Sequence, residues 1–380
     1  MSQEEEQLFQ SAHALWASGE AALAVPVLEA LCLAHPENPG LFSALGVCLY
    51  ESGDARGAQE PLEQALKLDP EQGVAAYNLA HVLLTLGEEE RGLALYERRW
   101  SSFSRPAWHP ALELSWDGKP LEGTLLVLAE QGFGDMIQFA RFLPLAAQYC
   151  NKLILVVPPE LKRLLSDVPG VAQVVSAGEA LPAFDRFVMM MSLPYRLGAF
   201  GLKRPYPPYL KPLHQSLEMP PASKGRDIGL IWSGRADSRH QKARALDLSL
   251  LGRHLGAARD VVFHCLQLGE AASQLPDWTG PAPLIDRAGE MTDFAATAAL
   301  LQGLDLLITV DTASAHLAGA LGMPAFVLLP VLPHWVWGLE GEVTGWYPSL
   351  RLFRADEQGW TQALMKLSQA LSERVDSRPG

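Results

Sequence analysis

The stretch "AEQGFGDMIQFARFLP", residues 129–144, follows directly on the apolar run "TLLVL". The run predicts a buried strand, and the loop after it carries Gly132 and Gly134 before a helix with Asp135 in its first turn. Glycines at such a place let the backbone approach a ligand and expose amide groups at the positive end of the helix. A loop of this kind is where α/β sheets bind their ligands.

Further short runs rich in Val, Ile and Leu alternate with helical stretches downstream of residue 123. This alternation predicts parallel sheets with crossover helices. A proline-rich segment at about 200–225 is typical of a linker, so we predict two α/β layers with a cleft between them. The strand runs are "TLLVLA", "LILVVP" and "RFVMMM", then "IGLIWSG", "VVFHCLQ", "DLLITV" and "PAFVLLP"; "MTDFAATAALLQGL" and "TASAHLAGALG" are helices.

The glycine loop does not fit a dinucleotide-binding fingerprint. Ile137 stands where the third glycine belongs, and no acid follows the second strand to hold a ribose. Hydride transfer is therefore disfavoured. Asp135 has two interpretations: a helix N-cap, or a carboxylate that caps with one oxygen and takes a proton from a substrate with the other.

A second loop, in "TVDTASAHLAGALG" at residues 309–322, places Asp311 and Thr312 between a buried strand and a helix of small residues. Thr312, Ser314 and the first free amides predict an anion site, and His316 lies one turn further on. Asp311 fits beside an anion if it caps the helix or accepts a hydrogen from a sugar hydroxyl. His316 is equally compatible with a hydrogen-bonded core histidine.

Five cations lie in the polar stretch "WSGRADSRHQKARALDL", residues 232–248: Arg235, Arg239, His240, Lys242 and Arg244. This cluster is the best candidate for holding a pyrophosphate. A solvated loop is the alternative.

The first hundred residues repeat at an offset of 34. Small residues allow two helices to approach closely, glycine turns the chain between them, and proline ends the second helix of each pair. The aligned sets are Gly19, Gly53 and Gly87; Leu15, Leu49 and Leu83; Ala12, Gly46 and Ala80; Pro36 and Pro70. This is the tetratricopeptide pattern, which predicts a short α-helical solenoid whose concave face holds a peptide. Alternatively, so short an array packs against the rest of the chain.

Composition narrows the class of protein. The 380 residues are 48% hydrophobic and 19% charged, with a net charge of -13 and no clustered basic surface, so nucleic acid is not an expected partner. The four cysteines lie far apart, which is typical of reduced thiols and predicts a cytoplasmic protein. The acidic start lacks the pattern of a signal peptide, and proline residues interrupt the longest apolar run, so no transmembrane segment is expected.

Several catalytic motifs are absent from the sequence. It contains no G-x-x-x-x-G-K-[ST], H-E-x-x-H or G-x-S-x-G, and no D-x-D pair for a divalent metal. We therefore expect no metal and no bound cofactor.

Four segments together resemble the glycosyltransferase family 9 group, which includes the ADP-heptose lipopolysaccharide heptosyltransferases. They are "AEQGFGDMIQFARFLP", "MTDFAATAALL", "DLLITVDTASAHLAGALGMPAFVLLP" and "WYPSLRLFR". The whole chain is similar to bacterial proteins in which tetratricopeptide repeats precede such a domain, and "YERRW" at 96–100 fits the join.

The resemblance implies a GT-B fold of two Rossmann-like layers facing a cleft, with repeats over 1–104 and the two halves over 105–215 and 216–380. It implies an inverting, metal-independent transfer from a nucleotide-diphosphate sugar held mainly by the second half. Asp135 matches the general base. The remaining matches are all donor-binding: Gly132, Gly134, His240, Arg244, Glu270, Asp311, Thr312, Ser314 and His316.

Two departures leave a second function open. His334-Trp335-Val336-Trp337 stands where relatives read Asp-Trp-Arg-Trp, so a cation is missing near the expected cleft, and the loop "RHQKARAL" aligns only at His240 and Arg244. One candidate is a glycosyltransferase whose acceptor is a protein bound by the repeats, or a lipid-linked saccharide. The other is an adaptor whose repeats bind a partner beside a non-catalytic GT-B domain.

Overall fold

The computed structural model describes residues 1–102, 109–201, 206–211, 226–234, 244–255 and 261–376. They form two compact units. The helical unit comprises Met1–His109 together with Leu332–Glu340, and the α/β unit comprises Pro110–Val331 and Gly341–Gly380. Both predicted domain boundaries, at 104/105 and 215/216, lie outside the described residues, as does most of the predicted linker at 200–225.

The helical unit is built from helices that pack in sequence order. The three glycines predicted to turn the chain all have a positive φ, 91° at Gly19, 100° at Gly53 and 90° at Gly87, which confirms their role. The helices are α1 (Gln3–Ser18), α2 (Ala21–Ala34), α3 (Pro39–Glu51), α4 (Ala55–Leu68), α5 (Gly73–Leu86), α6 (Glu89–Tyr96) and α7 (Arg99–Ser102).

Close helix packing depends on the small residue at position 46. A Cβ atom on Gly46 would lie 2.9 Å from Leu62 Cδ2 and 3.2 Å from the carbonyl oxygen of Ala58. The equivalent residues in the other two repeats, Ala12 and Ala80, are buried. The small-residue periodicity therefore marks the places where paired helices touch.

A segment from late in the chain belongs to the helical unit. Residues Trp335–Trp337 form a short 3-10 helix that packs on α5, and the rings of His334 and His81 lie 6.5 Å apart. Val336 is 2% exposed. Val336 is thus a buried apolar residue of the helical unit and not part of the α/β unit that was expected to form the cleft.

The first half of the α/β unit is a four-stranded parallel sheet in the order β3-β2-β1-β4. Its strands are β1 (Leu121–Leu128), β2 (Cys150–Val157), β3 (Val171–Ser176) and β4 (Arg186–Met189). Its helices are α8 (Phe133–Phe139), α9 (Leu143–Ala146), α10 (Pro159–Leu165) and α11 (Leu193–Arg196).

The second half is a six-stranded parallel sheet in the order β7-β6-β5-β8-β9-β10. This is the strand order of doubly wound nucleotide-binding sheets. Its strands are β5 (Arg226–Ile231), β6 (Val261–Cys265), β7 (Leu284–Asp286), β8 (Leu306–Val310), β9 (Ala325–Leu329) and β10 (Leu350–Arg354). Its helices are α12 (Leu248–His254), α13 (Phe294–Gln302), α14 (Ala313–Leu321) and α15 (Thr361–Asp376).

All seven predicted strands are confirmed, and the sequence analysis missed β3, β7 and β10. The missed β7 has only three residues, two of them exposed, so it lacks the continuous apolar run of a central parallel strand. No helix in the described ranges is both long enough and apolar enough to cross a lipid bilayer.

Replacing Gly46 with Ala is expected to destabilise the helical unit by about 1–3 kcal/mol, because the new methyl overlaps Leu62 and outweighs the gain in helix propensity. Urea unfolding followed by circular dichroism measures the change. The double variant Gly46→Ala/Leu62→Val should recover part of the loss. Equal stability of Gly46→Ala and the wild type would contradict the packing described.

Candidate functional site

The two motif loops lie at equivalent places in the two sheets. In the first sheet the strand order reverses between β1 and β4, and in the second between β5 and β8. Ligands of open α/β sheets bind beyond the carboxyl ends of the strands at such switch points. Asp135 follows β1, and Asp311 follows β8, so each predicted motif stands at a switch point.

These two places meet inside the α/β unit, because α8 packs on α14. A Cβ atom on Gly134 would lie 2.9 Å from Cδ2 and 3.5 Å from Nε2 of the His316 imidazole, and 3.5 Å from the Cα of Ala313. The backbone of the first loop therefore rests against the first turns of the second helix.

Asp135 is the third residue of α8, so its prediction as the N-cap was wrong. Gly132 is the N-cap, and its amide donates a hydrogen bond to Oδ2 of Asp135 at 3.1 Å. Burial raises the pKa of Asp135 to about 6. The Gly132 amide and Arg244 oppose that rise, while the negative charge of Asp311 adds to it.

Asp311 is 5% exposed, and its Oδ2 lies 3.4 Å from Nη1 of Arg244. This ion pair joins the second motif to the end of the basic loop. Arg244 is the one donor-loop residue predicted by the resemblance that falls within the described part of the chain, because His240 lies outside it. The pair places a positive charge beside Asp311, and the same charge of Arg244 opposes the rise in the pKa of Asp135.

Thr312 and Ser314 form the start of α14. Thr312 is the N-cap, but its hydroxyl bonds the hydroxyl of Thr309 at 3.0 Å and does not cap the helix. Ser314 is 8% exposed. The first amides of α14 therefore receive no side-chain cap from Thr312, which suits an anionic ligand.

His316 is buried, as the interpretation as a core histidine predicted, and its Nδ1 lies 3.0 Å from the Tyr347 hydroxyl. Burial lowers its pKa to about 4. The charge of Asp311 raises that pKa, whereas Arg141 and Arg244 lower it further. The imidazole is consequently neutral at physiological pH, and it still faces Gly134 of the first motif.

Glu270 does not belong to the cluster that Asp135, Arg244, Asp311 and His316 form. It begins the 3-10 helix Glu270–Asp277 after β6, and its side chain is exposed. Within the described residues its carboxylate makes no hydrogen bond or ion pair. Its assignment to the donor site stays a prediction.

Sequence reasoning missed two residues near the cluster. Gln131 has a φ of 66°, an unfavourable backbone conformation for a residue with a side chain. Arg141 is 3% exposed and lies in the 3-10 helix Ala140–Phe142, which follows α8 directly. The signal for Arg141 was present, since it is a lone cation within the apolar run "MIQFARFLP".

Comparison with known proteins finds a family model for part of the chain and one relative that matches most of it. A tetratricopeptide repeat family model matches residues 49–113, which confirms the predicted repeats. Protein FlbA of Caulobacter vibrioides is 26% identical over 423 residues, covering 92% of this chain and 70% of FlbA. The resemblance to glycosyltransferase family 9 stays a prediction.

Two solved structures of the Yersinia enterocolitica type III secretion chaperone SycD are also similar to part of this chain. In a structure of its alternative dimer, the chaperone is 27% identical to this chain. The match covers 27% of this chain and 81% of the chaperone, with a TM-score of 0.26. In its complex with a peptide of the translocator YopD, the chaperone is 22% identical to this chain. That match covers 28% of this chain and 82% of the chaperone, with a TM-score of 0.26. TM-scores this low carry no argument about fold or binding.

Stability should depend on pH through Asp135. Its folded pKa of about 6 lies above the ordinary value of 3.8 for an aspartate, so its ionisation opposes folding as the pH rises between those values. From about pH 4 to about pH 7.5 the wild type should lose about 1–3 kcal/mol relative to Asp135→Asn, which cannot ionise. Unfolding at a series of pH values measures this difference. Asp286→Asn, an exposed carboxylate variant, serves as the control, and parallel curves for Asp135→Asn and wild type would refute the shift.

The contact at Gly134 gives a second prediction. Replacing Gly134 with Ala should cost about 1–3 kcal/mol, because the methyl overlaps an imidazole already held by Tyr347. Gly289→Ala is the matched control, since a Cβ atom there meets nothing within 4 Å. Calorimetry of both variants makes the comparison. A loss no larger in Gly134→Ala than in Gly289→Ala would show that the two helices do not touch there.

Proposed function

We propose that this protein is an inverting, metal-independent glycosyltransferase with a GT-B fold, which moves a sugar from a nucleotide-diphosphate donor to a hydroxyl acceptor. The observation that supports it most is the meeting of the two switch points. Asp135, a carboxylate with a pKa near the working range of a general base, lies on α8 where that helix packs against the start of α14.

Asp135 removes the proton from the acceptor hydroxyl in this mechanism. The acceptor oxygen forms a bond to the anomeric carbon while the bond from that carbon to the diphosphate oxygen breaks, which inverts the configuration. The first amides of α14 and the guanidinium of Arg244 stabilise the charge that develops on the leaving diphosphate. Resemblance to family 9 supports the same division of roles.

A protein is the acceptor that we favour. Tetratricopeptide repeats suggest a protein-binding role. Residues 1–102 contain 16 acidic and 5 basic residues, so the helical unit favours a basic segment of a partner. A cavity of about 420 Å³ in this unit is lined by Phe42, Glu60, Pro61, Glu63, Gln64 and Lys67.

One observation favours the adaptor as the second candidate. Arg244 is already paired with Asp311, so a diphosphate must compete with a carboxylate for this guanidinium. If a diphosphate cannot displace the Asp311 carboxylate from Arg244, the α/β unit binds no donor. The protein then functions only through partner binding by its repeats.

Donor binding separates the two candidates. The purified chain is heated with ADP, UDP, GDP and TDP and with sugars linked to each of them. A ligand at about 100 times its dissociation constant adds roughly 2.7 kcal/mol of stability, so a true donor raises the melting temperature visibly. A melting temperature that rises with none of these nucleotides or nucleotide sugars would favour the adaptor.

Transfer itself is tested with the donor so identified and proteins co-purified from the native host, with mass spectrometry to detect the added sugar. Asp135→Asn should bind the donor as the wild type does but transfer at a rate reduced about 100-fold or more, because the base is lost. The wild-type rate should fall as the pH drops below about 6. Undiminished transfer by Asp135→Asn, with Asp286→Asn as the control, would show that Asp135 is not the base.

A further inference from the structure

The connection between β9 and β10 is anchored at two places. Its first part, Leu332–Glu340, belongs to the helical unit, where the short helix Trp335–Trp337 packs on α5. We call Leu332–Glu340 the docked segment. The second anchor belongs to the α/β unit and consists of Trp346 and Tyr347, each 1% exposed. Eight residues, 338–345, separate the two anchors along the chain.

The second anchor lies at the candidate site. The Tyr347 hydroxyl is 3.0 Å from Nδ1 of His316, and the carbonyl of Trp346 accepts a hydrogen bond from Arg141 at 3.0 Å. The guanidinium carbon of Arg141 lies in a ring cluster, with ring centres of Trp346 at 4.4 Å, Tyr206 and Tyr209 at 4.8 Å and Tyr347 at 5.1 Å. Movement of this end of the connection therefore changes the surroundings of His316.

The first anchor covers one end of a polar and aromatic stripe on the helical unit. Tyr77, His81 and Thr85 recur at every fourth position of α5 and share one side of it. The ring of His81 lies 4.6 Å from that of Tyr77 and 6.5 Å from that of His334 in the docked segment. The hydroxyls of Thr85 and Tyr50 lie 2.9 Å apart, so the stripe continues onto α3.

The stripe recurs in the preceding repeats. The offset of 34 places His13 and Val47 at the position of His81, and Phe9 at the position of Tyr77. His13 is exposed, while Phe9 and Val47 are half-buried. Repeat proteins bind their partners on a surface to which successive repeats contribute. The stripe has the form of such a surface, with its α5 end taken up by the docked segment.

The docked segment is a turn that closes on itself. The amide of Trp337 donates to the carbonyl of His334 at 3.0 Å, and the amide of Gly338 donates to the carbonyl of Trp335 at 3.1 Å. Pro333 precedes the turn, and Gly338 ends it with a φ of 62°. With these bonds internal, the turn needs no helix or strand of either unit in order to form.

We propose that the stripe along α1, α3 and α5 is a binding surface of the repeats and that the docked segment is its built-in ligand at the α5 end. A partner segment that extends along the stripe to α5 displaces the docked segment. Because the same connection carries Trp346 and Tyr347, displacement weakens the contacts around Arg141 and His316. The docked segment thereby couples occupancy of the repeats to the site, and the effect on sugar transfer rests on the proposed function.

A free copy of the docked segment tests its role as a ligand. A tethered ligand meets its site at an effective concentration on the order of 1 mM, so a segment docked in about nine molecules of ten binds as a free peptide with a Kd of about 0.1 mM. The probe is the peptide of residues 331–340, VLPHWVWGLE, titrated by calorimetry into the full chain and into Trp335→Ser/Trp337→Ser.

The peptide should bind Trp335→Ser/Trp337→Ser with a Kd of about 0.1 mM or tighter, and should bind the wild type at least about 10-fold more weakly, because there the tethered copy competes. The same peptide with both tryptophans replaced by serine is the control and should not bind. Adding Tyr77→Ala/His81→Ala to the variant should weaken binding about 10-fold or more. Equal affinity for wild type and variant, or no binding to the folded variant at about 1 mM, would overturn the proposal.

Hydrogen exchange of the same variant separates a ligand from a piece of the core. Gly73–Leu86 should keep its wild-type protection in Trp335→Ser/Trp337→Ser, whereas residues 344–350 should exchange about 10-fold faster or more. Free peptide should not restore residues 344–350, because it lacks the covalent link. Loss of protection throughout α5 would show that the docked segment is part of the repeat core and overturn the proposal.

Unchanged exchange at residues 344–350 in the variant would overturn the coupling to the site. Neither measurement uses a nucleotide sugar. If both give the expected results and no nucleotide sugar binds, only the proposed function fails.

Discussion

The missing side chain at Gly134 is the constraint on which the site depends. A Cβ atom there would lie 2.9 Å from the His316 ring, so only glycine lets α8 and α14 come as close as they do. The two helices follow strands at the reversal points of two separate sheets. Their contact therefore brings together two places at which α/β sheets bind ligands.

The contact between α8 and α14 also brings ionisable side chains from the two loops close together. The charge of Asp311 helps to raise the pKa of Asp135, and Asp311 forms an ion pair with Arg244. Burial raises the pKa of Asp135 to about 6, while burial and two nearby arginines keep His316 neutral. The result is a buried carboxylate with a raised pKa, an acid paired with an arginine, and a neutral imidazole near the start of α14. Such a separation of roles is what acid–base chemistry at neutral pH requires.

Sequence alone predicted the parts of this arrangement that local patterns encode. Continuous apolar runs marked β1 and β8, and the glycine and small-residue loops marked Asp135 and Asp311, because burial on both faces and a tight strand-to-helix turn each leave a local signature. The ring cluster around Arg141 could not be predicted in this way. Trp346 contacts Arg141 across 205 positions of sequence, and no local pattern links the two. The place of Val336 in the helical unit escaped prediction for the same reason.

We propose that both switch points bind one ligand. Hydrogen–deuterium exchange of the full chain, with and without a nucleotide sugar shown to stabilise it, tests that claim directly. Peptides covering residues 129–140 and 309–320 should both become protected, at the same ligand concentration, and lose that protection together in Arg244→Ala. Protection of one stretch alone, in a protein shown to have bound the ligand, would contradict a shared site.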